Sequence, residues 1–177
     1  MKKIILGVSS SIAAYKACEL VRSFVKAGHA VHCVLTENAT RMVTPLTLET
    51  LSGNPVYTRT FADERRAMGH IELKDGASLL VVAPATANII GKFANGIADD
   101  LLSTTFLSVD CPVLIAPAMN PNMWKHPAVR ENVTRLEKWG VRFVEPAEGM
   151  VACGDLGYGK LAEIETIYRV ACDVLDG

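Results

Sequence analysis

The sequence predicts one α/β domain, a parallel sheet wound in both directions with helices on both faces. Three observations point there. Short apolar runs of strand length alternate with segments whose apolar residues recur at helical spacing, the pattern of strand–helix–strand units. At 177 residues, half of them apolar and 21% charged, the chain is the size of one domain and rich enough in apolar side chains to build a core. It shows no internal repeat, low-complexity tract or linker, so residues 1–177 are expected to form a single domain.

The elements follow in order. Lys3 to Val8 is an apolar run that reads as a fully buried strand. Ala14, Ala17, Cys18, Val21, Phe24 and Val25 fall at helical spacing, and Gly28 stops that helix. Ala30 to Leu35 reads as a second strand, and Pro45 to Leu51 as a short helix ended by Gly53-Asn54-Pro55. Residues 58 to 69 are charged and irregular and read as a loop. Ser78 to Ala83, closed by Pro84, is the most apolar strand candidate. Helical patterns at 86–94 and 99–108 are separated by Asn95-Gly96. Pro112 to Ala116 is a fourth strand, His126 to Trp139 a helix stopped at Gly140, and Val141 to Val144 a fifth strand. Residues 146–160 carry Pro146 and four glycines and read as a mobile loop; Ile164 to Leu175 is a closing helix. In such folds ligands bind beyond the carboxyl ends of the strands. The loops of interest are therefore 9–12, 36–38, 84–89, 117–124 and 146–160.

Charge and cysteine content exclude several classes. Eighteen Lys and Arg against nineteen Asp and Glu give a net charge of −1, which offers no basic footprint for nucleic acid or an anionic membrane. The five cysteines are odd in number and form no C-x-x-C pair, so a reducing, cytoplasmic setting is expected. The apolar run after Lys2-Lys3 is short for a signal peptide, and no stretch is long enough to span a bilayer. Four histidines without metal-ligand spacing lead us to expect no metal.

Three loops carry candidate chemistry. Ser9-Ser10-Ser11 follows a strand and opens a helix, where backbone N–H groups and hydroxyls suit a phosphate. It lacks the glycine fingerprint of dinucleotide folds and the lysine of a P-loop, which favours a mononucleotide. An ordinary capped helix start explains the same residues equally well. Thr36 stands at the end of the second strand, where it suits the same phosphate or a helix cap. Pro84-Ala85-Thr86-Ala87-Asn88-Ile89 ends the most apolar strand; its small residues let a flat ring approach the backbone, and Thr86 and Asn88 offer hydrogen bonds. Pro117-Ala118-Met119-Asn120-Pro121-Asn122-Met123-Trp124 places an amide and two thioethers past another strand end, although Met and Trp more often fill core.

These motifs resemble those of the homo-oligomeric flavin-containing cysteine decarboxylases. Pro84 to Ile89 is similar to that family's P-A-S-A-N-T motif, with Thr86 for Ser and Ile89 for Thr, and Pro117 to Trp124 matches P-x-M-N-x-x-M-W at every fixed position. Ala152-Cys153-Gly154-Asp155-Leu156-Gly157-Tyr158-Gly159-Lys160 is similar to the substrate flap of the members that act on phosphopantothenoylcysteine. The resemblance covers nearly the whole chain. It implies a flavodoxin/Rossmann-like three-layer sandwich and bound FMN, with Ser10, Ser11 and Thr36 near the phosphate and Thr86, Ala87, Asn88, Ile89 and Ala118 along the ribityl chain and ring. Ile89 lacks the hydroxyl of the family's threonine.

The same resemblance implies decarboxylation of 4′-phosphopantothenoylcysteine to 4′-phosphopantetheine in coenzyme A biosynthesis. Oxidation of the substrate thiol to a thioaldehyde lets the electron pair left by CO₂ pass into the C=S group. By resemblance, His70, in an H-I-x-L context, is the acid/base at the thiol; Asn120 holds the carboxylate; Met123 and Ala152 line the substrate site; and Cys153 protonates the enethiol carbon. Further implications are a homo-oligomer built from trimers, up to a dodecamer, and no nucleic-acid or membrane partner. Met119, Met123 and Trp124, read as a surface loop, suit such an interface. Two alternatives stay open: a peptidyl-cysteine decarboxylase of lantibiotic maturation, and a non-catalytic FMN-binding regulatory or electron-carrier protein.

Overall fold

The computed structural model describes residues 1–59, 69–150, 154 and 156–177, with the backbone alone at 69 and 70. Five strands, β1 (Lys3–Val8), β2 (Ala30–Leu35), β3 (Ala77–Ala85), β4 (Val113–Pro117) and β5 (Arg142–Phe143), pair in parallel in the order β2-β1-β3-β4-β5. This is the flavodoxin-like order, which reverses direction between β1 and β3. The expected doubly wound parallel sheet is present.

The period of two in each strand sorts its residues between two cores. Ile4, Leu6 and Val8 of β1 join Leu79, Val81 and Ala83 of β3 on one face. Against them lie α1 (Ala17–Lys26), α2 (Pro45–Ser52) and α8 (Ile164–Asp176). Ile5, Leu80, Val82 and Ile115 point to the other face, where α4 (Ala87–Ala94), α5 (Leu101–Ser108) and α7 (Pro127–Lys138) cover them. Helix α1 buries Ala17, Leu20, Val21 and Phe24, an i, i+3, i+4, i+7 stripe. It is followed by Gly28, whose φ of +80° no side chain adopts cheaply. Asp100 closes a capping box with Ser103, so α5 starts two residues later than the pattern 99–108 suggests.

The outer edge of β2 is covered. Tyr57 bridges to Val34, the Leu35 N–H donates to the Tyr57 carbonyl, and the Tyr57 N–H donates to that of Cys33, both at 2.9 Å. No described helix is long and apolar enough to cross a membrane.

Five expectations need correction. Residues 146–160 are not simply a loop: β6 (Ala147–Met150) and β7 (Leu156–Lys160) pair antiparallel as a second, two-stranded sheet. Gly157 and Gly159 of β7, which suggested mobility, instead permit close approach to residues 119–121. Loop 117–124 contains a one-turn helix, α6 (Pro121–Lys125), with Pro121 at its favoured first position. Its Trp124 is buried at 6% exposure beneath Arg130, whose guanidinium lies 4.5 Å from the ring centroid. Trp124 therefore fills core and offers nothing to an interface, whereas Met123 is exposed. The irregular segment ends in a short helix, α3 (Gly69–Lys74), while residues 60–68 lie outside the described residues. The fifth strand keeps only two of its four expected residues.

Candidate active site

A cavity of about 650 Å³ opens at the carboxyl ends of β1, β3 and β4. That size suits a small-molecule or cofactor site, typically roughly 300–1,000 Å³. Reversal of strand order between β1 and β3 parts the loops that follow them and leaves a crevice.

Ser9 ties these two loops together. It is buried, its Oγ donates to the Pro84 carbonyl at 2.8 Å, and the Thr86 N–H donates to that Oγ at 2.9 Å. Ser10 and Ser11 follow and line the cavity, with Ser11 also capping a 3₁₀ turn, Ile12–Lys16, by accepting from the Ala13 N–H. Ser11 is thus both the cap of that turn and part of the cavity wall. Across the crevice Thr86, Ala87 and Asn88 line the wall, with Thr86 capping α4 through the Ile89 N–H. Ala118 and Met119 close the floor beyond β4, and Asn120 and Met123 stand beside them. The Asn120 Oδ1 accepts from the Asn122 N–H at 2.8 Å and so starts α6.

Two expected residues lie elsewhere. Ile89 does not line the cavity; its side chain is buried in the core beneath α4. Thr36 does not line it either, but its N–H donates to the Val8 carbonyl at 3.0 Å, next to the serine loop. The Thr36 Oγ1 is buried and has no hydrogen-bond partner among the described residues, a costly state for a hydroxyl unless a ligand completes it. Cys153, Ala152 and the side chain of His70 lie outside the described residues.

The fourth wall comes from the hairpin: Met150 of β6, Gly159 and Lys160 of β7, and Leu161; Gly159 and Lys160 belong to the expected flap, whereas sequence reasoning missed Met150 and Leu161 as individual lining residues. Tyr15 and Lys16, on the turn after the serine loop, were missed as well. The hairpin is fastened by one backbone hydrogen bond, from the Met119 N–H to the Gly159 carbonyl at 2.9 Å. A Cβ on Gly159 would fall 2.3 Å from the Met119 carbonyl oxygen, at a φ of +151°. Gly159→Ala should therefore lower stability by about 2–3 kcal/mol, or about 4–12 °C in melting temperature, by forcing hairpin and loop apart. Gly28→Ala, strained in φ but with open space around it, is the control in thermal melts and should cost about 1 kcal/mol. Equal losses in the two variants would show that the close approach carries no energy.

Cys18, Cys33 and Cys111 are poor nucleophiles. Burial pushes the Cys33 thiol up to about 12, and burial also raises Cys18 and Cys111.

Comparison with known proteins agrees with this architecture. The family profile described as Flavoprotein matches residues 1–176. The chain is 50% identical over 171 residues to the coenzyme A biosynthesis bifunctional protein CoaBC of Bacillus subtilis, covering 96% of this chain and 42% of that protein. For the protein of the same name from Mycolicibacterium smegmatis the identity is 47% over 170 residues, with 96% and 41% covered. The chain thus spans about two fifths of the curated relatives it matches. Among solved structures, a PPC decarboxylase mutant complexed with pantothenoylaminoethenethiol superposes with a TM-score of 0.87 at 30% identity, over 99% of both chains. The FMN-dependent cysteine decarboxylase SpaF gives 0.85 at 32%, over 100% of this chain and 98% of its own. With a profile match along nearly its whole length and close relatives in both sequence and structure, the chain belongs to the Flavoprotein family.

Proposed function

We propose that this chain is an FMN-binding domain, spanning residues 1–177, that decarboxylates 4′-phosphopantothenoylcysteine to 4′-phosphopantetheine in the cytoplasm as a carboxy-lyase of coenzyme A biosynthesis. One observation carries the reading. The Asn120 loop and the hairpin whose strands bracket Cys153 in sequence meet, through the Met119–Gly159 hydrogen bond, on a cavity whose opposite walls are the serine and Thr86 loops.

The residues present fit FMN. Ser10, Ser11 and the unpartnered Thr36 hydroxyl supply donors at the amino-terminal side, while Ala87 and Ala118 leave room for a flat ring. Thr86 and Asn88 add polar contacts, and Ile89 contributes only the N–H that fixes Thr86. When bound, the flavin supplies reversible two-electron chemistry at the substrate sulfur. The chain's residues do the rest. His70 takes the thiol proton. Asn120 binds the carboxylate as a neutral amide, without the charge pairing that would stabilise the ground state. Met123 and Ala152 shape the substrate site, and Cys153 delivers a proton to the enethiol carbon. Mass spectrometry of 4′-phosphopantothenoylcysteine incubated with the purified protein tests this reading. A yellow protein that yields 4′-phosphopantetheine is expected; a colourless one that takes up no added FMN, or one that leaves the substrate intact, overturns it.

The same reading includes a homo-oligomer built from trimers, in which sites are shared. Helix α3, which bears His70, is held at its far end by Lys3, whose Nζ donates to the Glu72 and Asp75 carbonyls at 2.7 and 2.9 Å. Lys3 is the first residue of β1, whereas the cavity lies past its last. We take His70 to serve the cavity of a neighbouring copy, a reading that subunit exchange tests. Exposed Ile12, Tyr15, Leu156 and Tyr158 around the turn and hairpin give such a neighbour an apolar surface. Light scattering should report a multiple of three chains; an active monomer would refute the assembly.

A further inference from the structure

Lys16 and Lys160 are the charged side chains lining the cavity among the described residues, and no carboxylate lines it. Lys16 ends the 3₁₀ turn after the serine loop, and Lys160 ends β7. The two ammonium groups converge on one carboxylate outside the wall: Lys16 Nζ lies 3.7 Å from Glu163 Oε2, and Lys160 Nζ lies 3.4 Å from Glu163 Oε1. Glu163 is the N-cap residue of α8, yet its side chain accepts no hydrogen bond from that helix. Ser, Asp or Asn serves a cap better, so the position departs from its local preference, as functional positions tend to do. The side chain of Lys16 is only 18% exposed, whereas that of Glu163 is 58% exposed. The anion is therefore the exchangeable member of the cluster.

We propose that the Lys16–Glu163–Lys160 cluster docks the phosphate monoester of the substrate, with Glu163 holding the two lysines in place until the phosphate displaces its carboxylate. This rests on the proposed activity and names the subsite that would hold the substrate end remote from the sulfur. A phosphate monoester brings roughly −1.5 to −2 charges and three acceptor oxygens against a single carboxylate charge, so the exchange favours the ligand. An exposed pair such as Lys160–Glu163 contributes little stability and resists displacement weakly. The flavin phosphate presents the same chemistry, but the neutral donors at Ser10, Ser11 and Thr36 already suit it. Lys160 instead belongs to the hairpin, which is bonded to the Asn120 loop where the substrate carboxylate is held.

The test compares kcat/KM for 4′-phosphopantothenoylcysteine with that for pantothenoylcysteine in the wild-type protein, K160Q, K160R and E163Q, alongside an FMN titration of each. K160Q should reduce the preference for the phosphorylated substrate about ten- to hundred-fold, with K160R restoring most of it, while the FMN midpoint stays put. E163Q removes the competing anion and should raise the preference about two- to five-fold, a gain that general damage to the fold cannot mimic. An unchanged preference in K160Q, or a fall in E163Q, overturns the proposal. So does a shift in the FMN midpoint without a change in preference, which would assign the lysines to the flavin. If the wild-type protein decarboxylates neither compound, the proposed activity fails and the subsite falls with it.

Discussion

His70→Asn and Asn120→Asp, each nearly inactive alone, should regain about a quarter of wild-type activity when their subunits are mixed and allowed to exchange. His70→Asn removes the proposed acceptor of the thiol proton and should slow CO₂ release by about 10²–10⁴-fold with FMN still bound. Asn120→Asp is the matched lesion on the carboxylate side. Asp is as good a helix N-cap as Asn, so it keeps the acceptor that the Asn122 N–H needs and should leave α6 intact. It places a negative charge against the substrate carboxylate, so binding fails for electrostatic reasons alone. In a shared site, an intact His70 from an Asn120→Asp copy can meet an intact Asn120 from a His70→Asn copy, and random pairing produces that match in about one contact in four. If each cavity uses its own His70, the mixture stays dead. The measurement is CO₂ release after mixing, with each variant mixed against itself as reference.

Cys153→Ser should divide the reaction in two. Loss of CO₂ needs an oxidised sulfur, a base and a held carboxylate, none of which is a thiol donor. The return to a saturated thiol needs a proton on carbon, and serine is a far weaker acid than cysteine. The variant should release CO₂ once and accumulate an enethiol lighter than 4′-phosphopantetheine by one pair of hydrogens. Normal product at the normal rate would reduce Cys153 to a structural thiol. Failure to release CO₂ would mean that the flap acts earlier, in binding. Burial suppresses thiolate formation at Cys18, Cys33 and Cys111, so these three are poor substitutes for Cys153.

The sheet was legible because each buried strand announces itself. Ile4, Leu6 and Val8 face one core while Ile5 faces the other, so β1 appears as an unbroken apolar run, and β3 behaves likewise. The walls after β1, β3 and β4 were legible for a related reason: a parallel sheet leaves its carboxyl ends open, and the motifs fall there. The hairpin was not, because β6 and β7 bury little and carry glycine where a strand usually carries branched side chains. The reason for those glycines, a backbone packed against residues 119–121, lies in a distant part of the chain. Helix α6 was missed because five residues span barely more than one turn. Trp124 and Ile89 were misplaced because a motif fixes which loop a residue is on, but not whether its side chain turns toward solvent, cavity or core.

The bridge from Tyr57 to β2 bears on how copies of this chain avoid the wrong kind of association. A strand at the border of a sheet offers a ladder of unsatisfied amides to any passing chain and can seed fibrils. Here one border is occupied by Tyr57 at Val34, and the other, β5, is only two residues long. Strand-to-strand polymerisation is thereby discouraged at both borders of the main sheet. The proposed assembly would instead use side-chain surfaces around the turn and hairpin, where contacts can close into a finite ring instead of growing without limit.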